Sequence, residues 1–359
     1  MQKSELISRN INVIFDGLTE AQIAAVQSYS ASLADRDLPT IYSPVHLCQV
    51  VGVSPQYLFA VSNDPKRFYR GFSIPKRNGG RRFIQEPLPL LKAVQRWLLA
   101  NILEKVGVSP FVKSYIKGIN LKHNSRFHIG QDFVFKLDLE SFFDRILTKD
   151  VVEVFYKAGY TRDVSIFLAK ICVSNGRLCQ GSPTSGAISN IVLLEFDLTL
   201  FEFCRSRGFR YTRYSDDITI SGKMDAGTNF HEILLFISEL ASANGHKINK
   251  GKSQVLYRHN RQKVTGIVVN EKLTVPRPVR RRFRQELFYF ERYGPRGHAE
   301  RIGEGLDQCV ARLIGQASHL LFVRPDDEFV RVKKDLLLRV LRQMDADPQF
   351  GFDLGGRPL

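Results

Sequence analysis

Two adjacent carboxylates, Asp216 and Asp217, stand between two short strand-forming runs, and this stretch constrains the fold of the 359-residue chain more than any other. Residues 211–214 and 218–220 are β-branched or aromatic at most positions, so residues 210–221 read as a hairpin whose turn carries two negative charges. Asp is a favoured turn residue, and an Asp-Asp pair in a hairpin is ordinarily solvated. When such carboxylates are withdrawn from water they repel and raise each other's pKa unless a cation neutralises them. Mg²⁺ or Mn²⁺, hard ions that prefer oxygen ligands, suit the pair.

A second acidic position ends a second strand. Phe133-Val134-Phe135-Lys136-Leu137-Asp138-Leu139 runs into Glu140-Ser141-Phe142-Phe143. Asp138 either caps a helix starting near Glu140 or, if the strands pair, converges with Asp216 and Asp217. Three carboxylates supply enough oxygens for two Mg²⁺ about 3.5–4 Å apart, the arrangement used for in-line phosphoryl transfer. A third segment, Gln180-Gly181-Ser182-Pro183-Thr184-Ser185-Gly186, has the Gly and Pro of a turn and hydroxyls able to cap the apolar helix that follows. Such a helix start suits phosphate or sugar contacts. Taken singly, it reads as an ordinary capped loop.

Together and in this order the three segments resemble the palm motifs of reverse transcriptases. Asp138 with Phe142-Phe143 is similar to the first catalytic motif, residues 180–186 to the template-and-nucleotide loop, and Tyr214-Ser215-Asp216-Asp217 to the Tyr-x-Asp-Asp box. The likeness extends outward: residues 74–84, with Asn78-Gly79-Gly80 as turn, resemble the fingers hairpin. Residues 87–103, with Leu91-Lys92 and Gln95-Arg96, resemble the helix that follows it. Residues 245–253, with Lys252, resemble the motif after the Asp-Asp hairpin. Val264-Thr265-Gly266 falls at the primer grip. Two details resemble retron enzymes: this Val-Thr-Gly, and Asn124-Ser125-Arg126-Phe127-His128 where an Asn-Ala-x-x-His segment is usual. The box reads Tyr-Ser-Asp-Asp where Tyr-Ala-Asp-Asp is usual, which leaves both carboxylates intact.

The resemblance implies an α+β right-hand polymerase: an N-terminal helical extension over 1–50, fingers over 51–120, palm over 121–275 and a helical, RNA-binding thumb over 276–359. It implies an RNA-directed DNA polymerase with two Mg²⁺ (Mn²⁺ as substitute) on Asp138, Asp216, Asp217 and the backbone carbonyl of Leu139. Phe143 matches the ring that excludes a 2′-hydroxyl, Lys76 and Arg82 the basic fingers residues that hold a dNTP triphosphate, and Gln180 and Gly181 the nucleotide pocket. Lys252 is a candidate proton donor to pyrophosphate. Arg77 and Arg81 are left for template or solvent. A retron-like member copies part of a structured noncoding RNA into small single-stranded (msDNA-type) DNA, primed from an internal guanosine 2′-hydroxyl, in anti-phage defence with a separate effector protein. The rivals are a group II intron enzyme, for whose maturase and endonuclease regions the chain has little room, a diversity-generating enzyme, and a catalytically silent RNA-binding scaffold.

Charge agrees with a polyanionic partner: Lys and Arg outnumber Asp and Glu 52 to 36, for a net charge of +16, as nucleic-acid binding requires. The basic run Arg280-Arg281-Arg282-Phe283-Arg284 is ordinarily a solvated face. At the start of a thumb, Arg280, Arg281 and Arg284 are expected to meet the RNA or the RNA–DNA product. Tyr289, Phe290 and Tyr293 are expected to pack against the palm. No 18-residue apolar segment is present and residues 1–20 lack a signal-peptide core, so no membrane partner is expected. Five scattered cysteines without ligand spacing fit free thiols in the cytoplasm.

Overall fold

The computed structural model describes residues 19–76 and 79–346. Residues 1–18, Arg77 with Asn78 of the hairpin turn, and residues 347–359 lie outside the described residues, as does the start of the expected N-terminal extension. The chain forms two compact units. One comprises the described part of 1–118 with Leu139–Glu202 and Asn229–Asn249; the other comprises Ile119–Asp138, Phe203–Thr228 and the described residues from Lys250 onward.

The first unit is mainly helical. It opens with α1 (Glu20–Ala34), α2 (Pro44–Val51) and α3 (Pro55–Asn63). The apolar periodicity over 42–58 resolves into α2 and α3 because Gly52 takes φ 68° and ends the first helix, while Ser43 and Ser54 cap the two starts ahead of Pro44 and Pro55. An antiparallel hairpin follows, β1 (Tyr69–Pro75) with β2 (Arg81–Pro87), then α4 (Pro89–Asn101). Two helices follow, α6 (Thr148–Lys157) and α7 (Arg162–Cys172), separated at Gly159 with φ 110°. Next come α8 (Ser185–Val192), α9 (Leu194–Arg205), whose residues from Phe203 count with the second unit, and, from a later segment, α10 (Phe230–Ala243). Leu47, Leu58, Leu91, Leu98, Phe155, Leu168 and Ile188 belong to one continuous apolar core, which fixes the helices that carry the loops described below.

The second unit holds α5 (Leu121–Arg126) and a four-stranded antiparallel sheet. Its strands are β3 (Phe133–Asp138), β4 (Arg210–Tyr214), β5 (Asp217–Gly222) and β6 (Gln254–Tyr257), ordered β4-β5-β3-β6. A short hairpin, β7 (Lys263–Val264) and β8 (Ile267–Val268), turns through Thr265-Gly266. Then come α11 (Arg277–Ile302), broken at Gly294 where φ is 72°, α12 (Leu306–Val323) and α13 (Glu328–Ala346). Phe283, Leu287, Phe290, Leu313, Ala317 and Leu337 form the core of these helices. Of Tyr289, Phe290 and Tyr293, expected to pack against the palm, only Phe290 is buried. Tyr289 is exposed and stacks on Tyr293 at 5.9 Å, and Arg301 covers the Tyr293 ring at 3.7 Å.

Among the described residues no helix is long and apolar enough to cross a membrane, and the five cysteines are buried free thiols.

Candidate active site

Period-two alternation sorts the residues of the four-stranded sheet. Phe133, Phe135 and Leu137 of β3, with Ile218 and Ile220 of β5, are buried on one face. Lys136 and Asp138 point to the other, where register sets Lys136 opposite Thr219 and Asp138 directly opposite Asp217. Directly opposed residues place their Cβ atoms about 4.5–5.5 Å apart, and like charges there destabilise a sheet. Asp216 occupies the two-residue turn, while Asp217 is the first residue of β5 rather than a turn residue. The turn forces Ser215 to φ 59°, a left-handed conformation that costs a non-glycine residue about 1–2 kcal/mol.

Asp138 caps no helix. Leu139, whose carbonyl is the expected fourth ligand, is held extended in a bridge to Ile248, and Glu140 N–H donates to the Lys247 carbonyl. The chain then makes one 3₁₀ turn over Phe143–Arg145 before α6 begins.

The electrostatics of the acidic face are those of an under-neutralised site. Burial pushes the Asp216 carboxyl above the usual carboxylate range, and the charge of Asp138 adds to the shift. Burial does the same to Asp217, with Asp216 and Asp138 adding and Lys136 opposing. Lys252 Nζ donates to both Asp138 oxygens at 2.8 and 3.0 Å; that bond pushes the Lys252 pKa up. A cavity of about 480 Å³ opens here, lined by Lys136, Asp138, Asp217, Lys252, Ser253 and Gln254. Among the described residues no three His, Cys, Asp or Glu side chains are gathered closely enough to hold a metal ion. The donor set nevertheless fits a hard cation: acceptor-only oxygens, partly desolvated, each disfavouring its neighbour's charge.

The other expected residues of the first unit divide clearly. Lys76 and Arg82 are exposed on the β1–β2 hairpin, while Arg81 donates to the Ser73 carbonyl within the hairpin. Phe142 is buried with its ring 5.7 Å from His246, so of the two rings Phe143 is the less buried; it packs on Phe142 at 5.0 Å and lies 6.2 Å from Tyr115. The Gln180 carbonyl accepts from Gln85 N–H at 2.8 Å. Gly181 takes φ 125°, where an added Cβ would stand 2.6 Å from the Gln85 carbonyl oxygen. The expected hydroxyl cap of α8 is not made: Thr184 is already helical in conformation and its hydroxyl lies 3.0 Å from Ser182 Oγ.

In the second unit the two retron-like details meet. Ser125, which stands where Ala is usual, has its Oγ 3.1 Å from the Val264 carbonyl oxygen and 3.3 Å from Thr265 Oγ1. Gly266 completes that turn with φ 92°. Asn124 is buried with neither amide atom hydrogen-bonded. His128 is fully buried, with Nδ1 2.7 Å from Ser221 Oγ and Nε2 2.7 Å from Thr212 Oγ1, so it cross-braces β4 and β5 behind the Asp-Asp turn. Each hydroxyl can donate or accept, so a neutral imidazole is satisfied by both, one nitrogen donating and the other accepting. Burial first, and the Arg210 charge second, lower its pKa from 6.5 to about 3; His128 is therefore no acid–base catalyst at neutral pH. His128→Leu is expected to cost about 2–4 kcal/mol, from two buried hydroxyls left unpaired, read as the urea midpoint. Because the folded-state pKa is depressed, the wild type loses the His128 contribution as pH falls from 6.5 towards 3, and the variant lacks that part of the decline.

Of the basic run, Arg280 forms an ion pair with Asp327 at 2.6 Å and Arg284 lies over the Phe329 ring at 5.0 Å; Arg281 and Arg284 are exposed. Sequence reasoning missed Arg213, fully buried in β4 and donating to the Ser215 carbonyl at 3.0 Å. Its signal was available: strand alternation assigns it to the same face as Tyr211.

The sequence profile of the family described as "Reverse transcriptase (RNA-dependent DNA polymerase)" matches residues 74–269. The chain belongs to the reverse transcriptase family, and its fold class is the α+β right-hand polymerase. Curated relatives that it resembles are retron reverse transcriptases. The Retron Mx65 reverse transcriptase of Myxococcus xanthus is 32% identical over 294 residues, covering 77% of this chain and 66% of the relative. The Retron Ec86 reverse transcriptase of Escherichia coli is 34% identical over 206 residues, covering 56% and 63%. This chain thus spans slightly less than two thirds of each relative's length. Among solved structures, telomerase from Candida albicans in complex with a TWJ fragment of telomeric RNA overlays 76% of this chain and 58% of its own, with a TM-score of 0.44 at 12% identity. So loose an overlay supports no further argument.

Proposed function

We propose that this protein is an RNA-directed DNA polymerase that copies part of a structured noncoding RNA into a small single-stranded DNA, with residues 51–120 as fingers, 121–275 as palm and the helices from 276 as thumb. The observation that carries the reading is the register pairing of Asp138 with Asp217 beside Asp216, at one end of a sheet face in a chain of this family. Asp138, Asp216, Asp217 and the Leu139 carbonyl would hold two Mg²⁺. When bound, such ions lower the pKa of an attacking hydroxyl and neutralise the charge developing on the transferred phosphoryl group.

The chain's own residues supply the rest. Lys76 and Arg82 neutralise the triphosphate of the incoming dNTP, and Gln180 and Gly181 shape its pocket. Lys252, kept protonated by Asp138, holds a proton on Nζ that can pass to the departing pyrophosphate. Val264, Thr265 and Gly266 position the primer end. Arg281 and Arg284, with Arg280 tethered to Asp327, contact the phosphate backbone of the RNA–DNA product. Branched priming, msDNA formation and defence alongside a separate effector follow from the retron relatives' type and belong to the same proposal.

Mg²⁺-dependent dNTP incorporation on an RNA template is the direct test, with sequencing of copurifying nucleic acid for branched RNA–DNA. A protein that binds RNA but incorporates nothing would be a scaffold. Phe143→Ala is expected to raise ribonucleotide use relative to deoxynucleotide by about tenfold to a hundredfold, the scale of a lost steric exclusion. Phe142→Ala, which empties a buried site against His246, lowers stability and leaves sugar choice alone. Unchanged selectivity in Phe143→Ala would assign the gate to another residue.

A further inference from the structure

Gln95 is fully buried in α4, on the same stripe as Leu91, Val94 and Leu98. An amide at a core position is unfavourable unless all of its polar atoms are satisfied. Here they are. Nε2 donates to the Ile171 carbonyl at 2.8 Å and to Tyr69 Oη at 2.7 Å, and Oε1 accepts from Ser182 Oγ at 2.7 Å. The Ile171 carbonyl can only accept, which fixes the orientation of the amide and leaves Oε1 for Ser182.

Ser182 lies in the loop of residues 180–184, and it is tied from two sides. From β2, Gln85 N–H holds the Gln180 carbonyl, and the Gln85 side chain reaches Ser174 Oγ at 3.2 Å. From beneath, Gln95 holds Ser182, whose hydroxyl also lies 3.0 Å from Thr184 Oγ1 at the start of α8. Gly181, between the two anchors, is exposed, and Thr184 is buried. The loop therefore presents Gly181 to solvent while it is tied to α4 and β2, and Gln95 is held in turn by the last turn of α7.

We infer that Gln95 is a positioning residue for the incoming nucleotide: it fixes the Ser182 side of the loop so that the Gln180-Gly181 backbone is preorganised before a dNTP arrives. This rests on the polymerase reading and deepens it. Gln95 touches no substrate. Its effect comes from ordering done in advance, which lowers the entropic cost of binding. Losing the brace must therefore appear in dNTP affinity more than in the chemical step.

The test uses the full chain with a primed RNA template and single-nucleotide incorporation. Gln95→Met keeps the volume and removes the amide; Ser182→Ala removes only the loop's half of the bond and leaves the core intact. Each is expected to raise KM for the dNTP about tenfold, the scale of one lost buried hydrogen bond, with kcat changed less than about threefold. The double variant is expected to be no worse than the more affected single variant, because the two changes break one interaction. Hydrogen exchange over residues 180–184 should accelerate in both variants without substrate. If Gln95→Met does not fold, Ser182→Ala carries the test alone. Wild-type KM in an active Ser182→Ala protein overturns the inference and leaves the polymerase reading standing. A wild type that incorporates no dNTP overturns that reading, and the inference with it.

Discussion

Asp217→Asn is expected to lower dNTP incorporation by about three orders of magnitude or more, the loss typical of removing a centre of transition-state charge stabilisation, while leaving RNA binding unchanged. The substitution keeps side-chain shape and one acceptor oxygen, so little but charge is removed. Its position makes it decisive: Asp217 faces Asp138 across β3 and β5 and adjoins Asp216. The same variant is expected to be as stable as the wild type or more so in metal-free buffer at neutral pH. The Asp217 carboxyl is pushed up by burial. A raised folded-state pKa gives stability that is present when the group is protonated and lost as pH rises through that pKa. At neutral pH the ionised carboxylate is therefore a cost that Asn relieves. Incorporation assays, gel shifts and thermal unfolding of Asp216→Asn and Asp217→Asn separate the effects. Polymerisation surviving in both variants would defeat the metal assignment, and loss of folding in step with activity would make these residues structural.

Gly181→Ala is expected to cost about 2–4 kcal/mol of stability, the range for a backbone conformation closed to other residues combined with a rigid clash. At φ 125° the new Cβ would stand 2.6 Å from the Gln85 carbonyl oxygen and 2.9 Å from Ile84 Cγ2. Neither the strand backbone nor a β-branched side chain can yield easily, so the loop must lift from β2 and lose the 2.8 Å bond from Gln85 N–H to Gln180. Weaker dNTP binding should accompany the loss. Gly52→Ala is the control: φ is 68° there, but nothing lies within 4 Å of the added Cβ, so only the left-handed penalty of about 1–2 kcal/mol applies. Comparable urea midpoints for the two variants would show that the clash is relieved at little cost.

What was legible in the sequence was local. The hairpin over 210–221 follows from β-branched and aromatic residues around a two-residue turn, and Ser43 and Ser54 announce their helices through Pro at the next position. The candidate acids were visible as residues, but their register was not. That Asp138 meets Asp217 rather than a neighbour two residues away depends on β3 lying between β5 and β6, which no local pattern specifies. The helix expected near Glu140 fails for a similar reason, since Leu139 and Glu140 find partners in residues 247–248 and local propensity is overridden. Gln95 and His128 were illegible as structural residues because each is a polar group in a core whose partners come from elsewhere in the sequence. Alternation and the apolar stripe mark Arg213 and Gln95 as anomalies without naming what satisfies them.

The strand order β4-β5-β3-β6 has a consequence during synthesis. β3 is made first, yet its two hydrogen-bonding edges are filled by β5 and by β6, both made much later. Until Tyr257 has left the ribosome, Phe133–Asp138 remains an apolar ribbon with at least one open edge, the kind of segment that pairs with other chains. Truncations ending between β5 and β6 should therefore aggregate rather than yield a smaller folded palm.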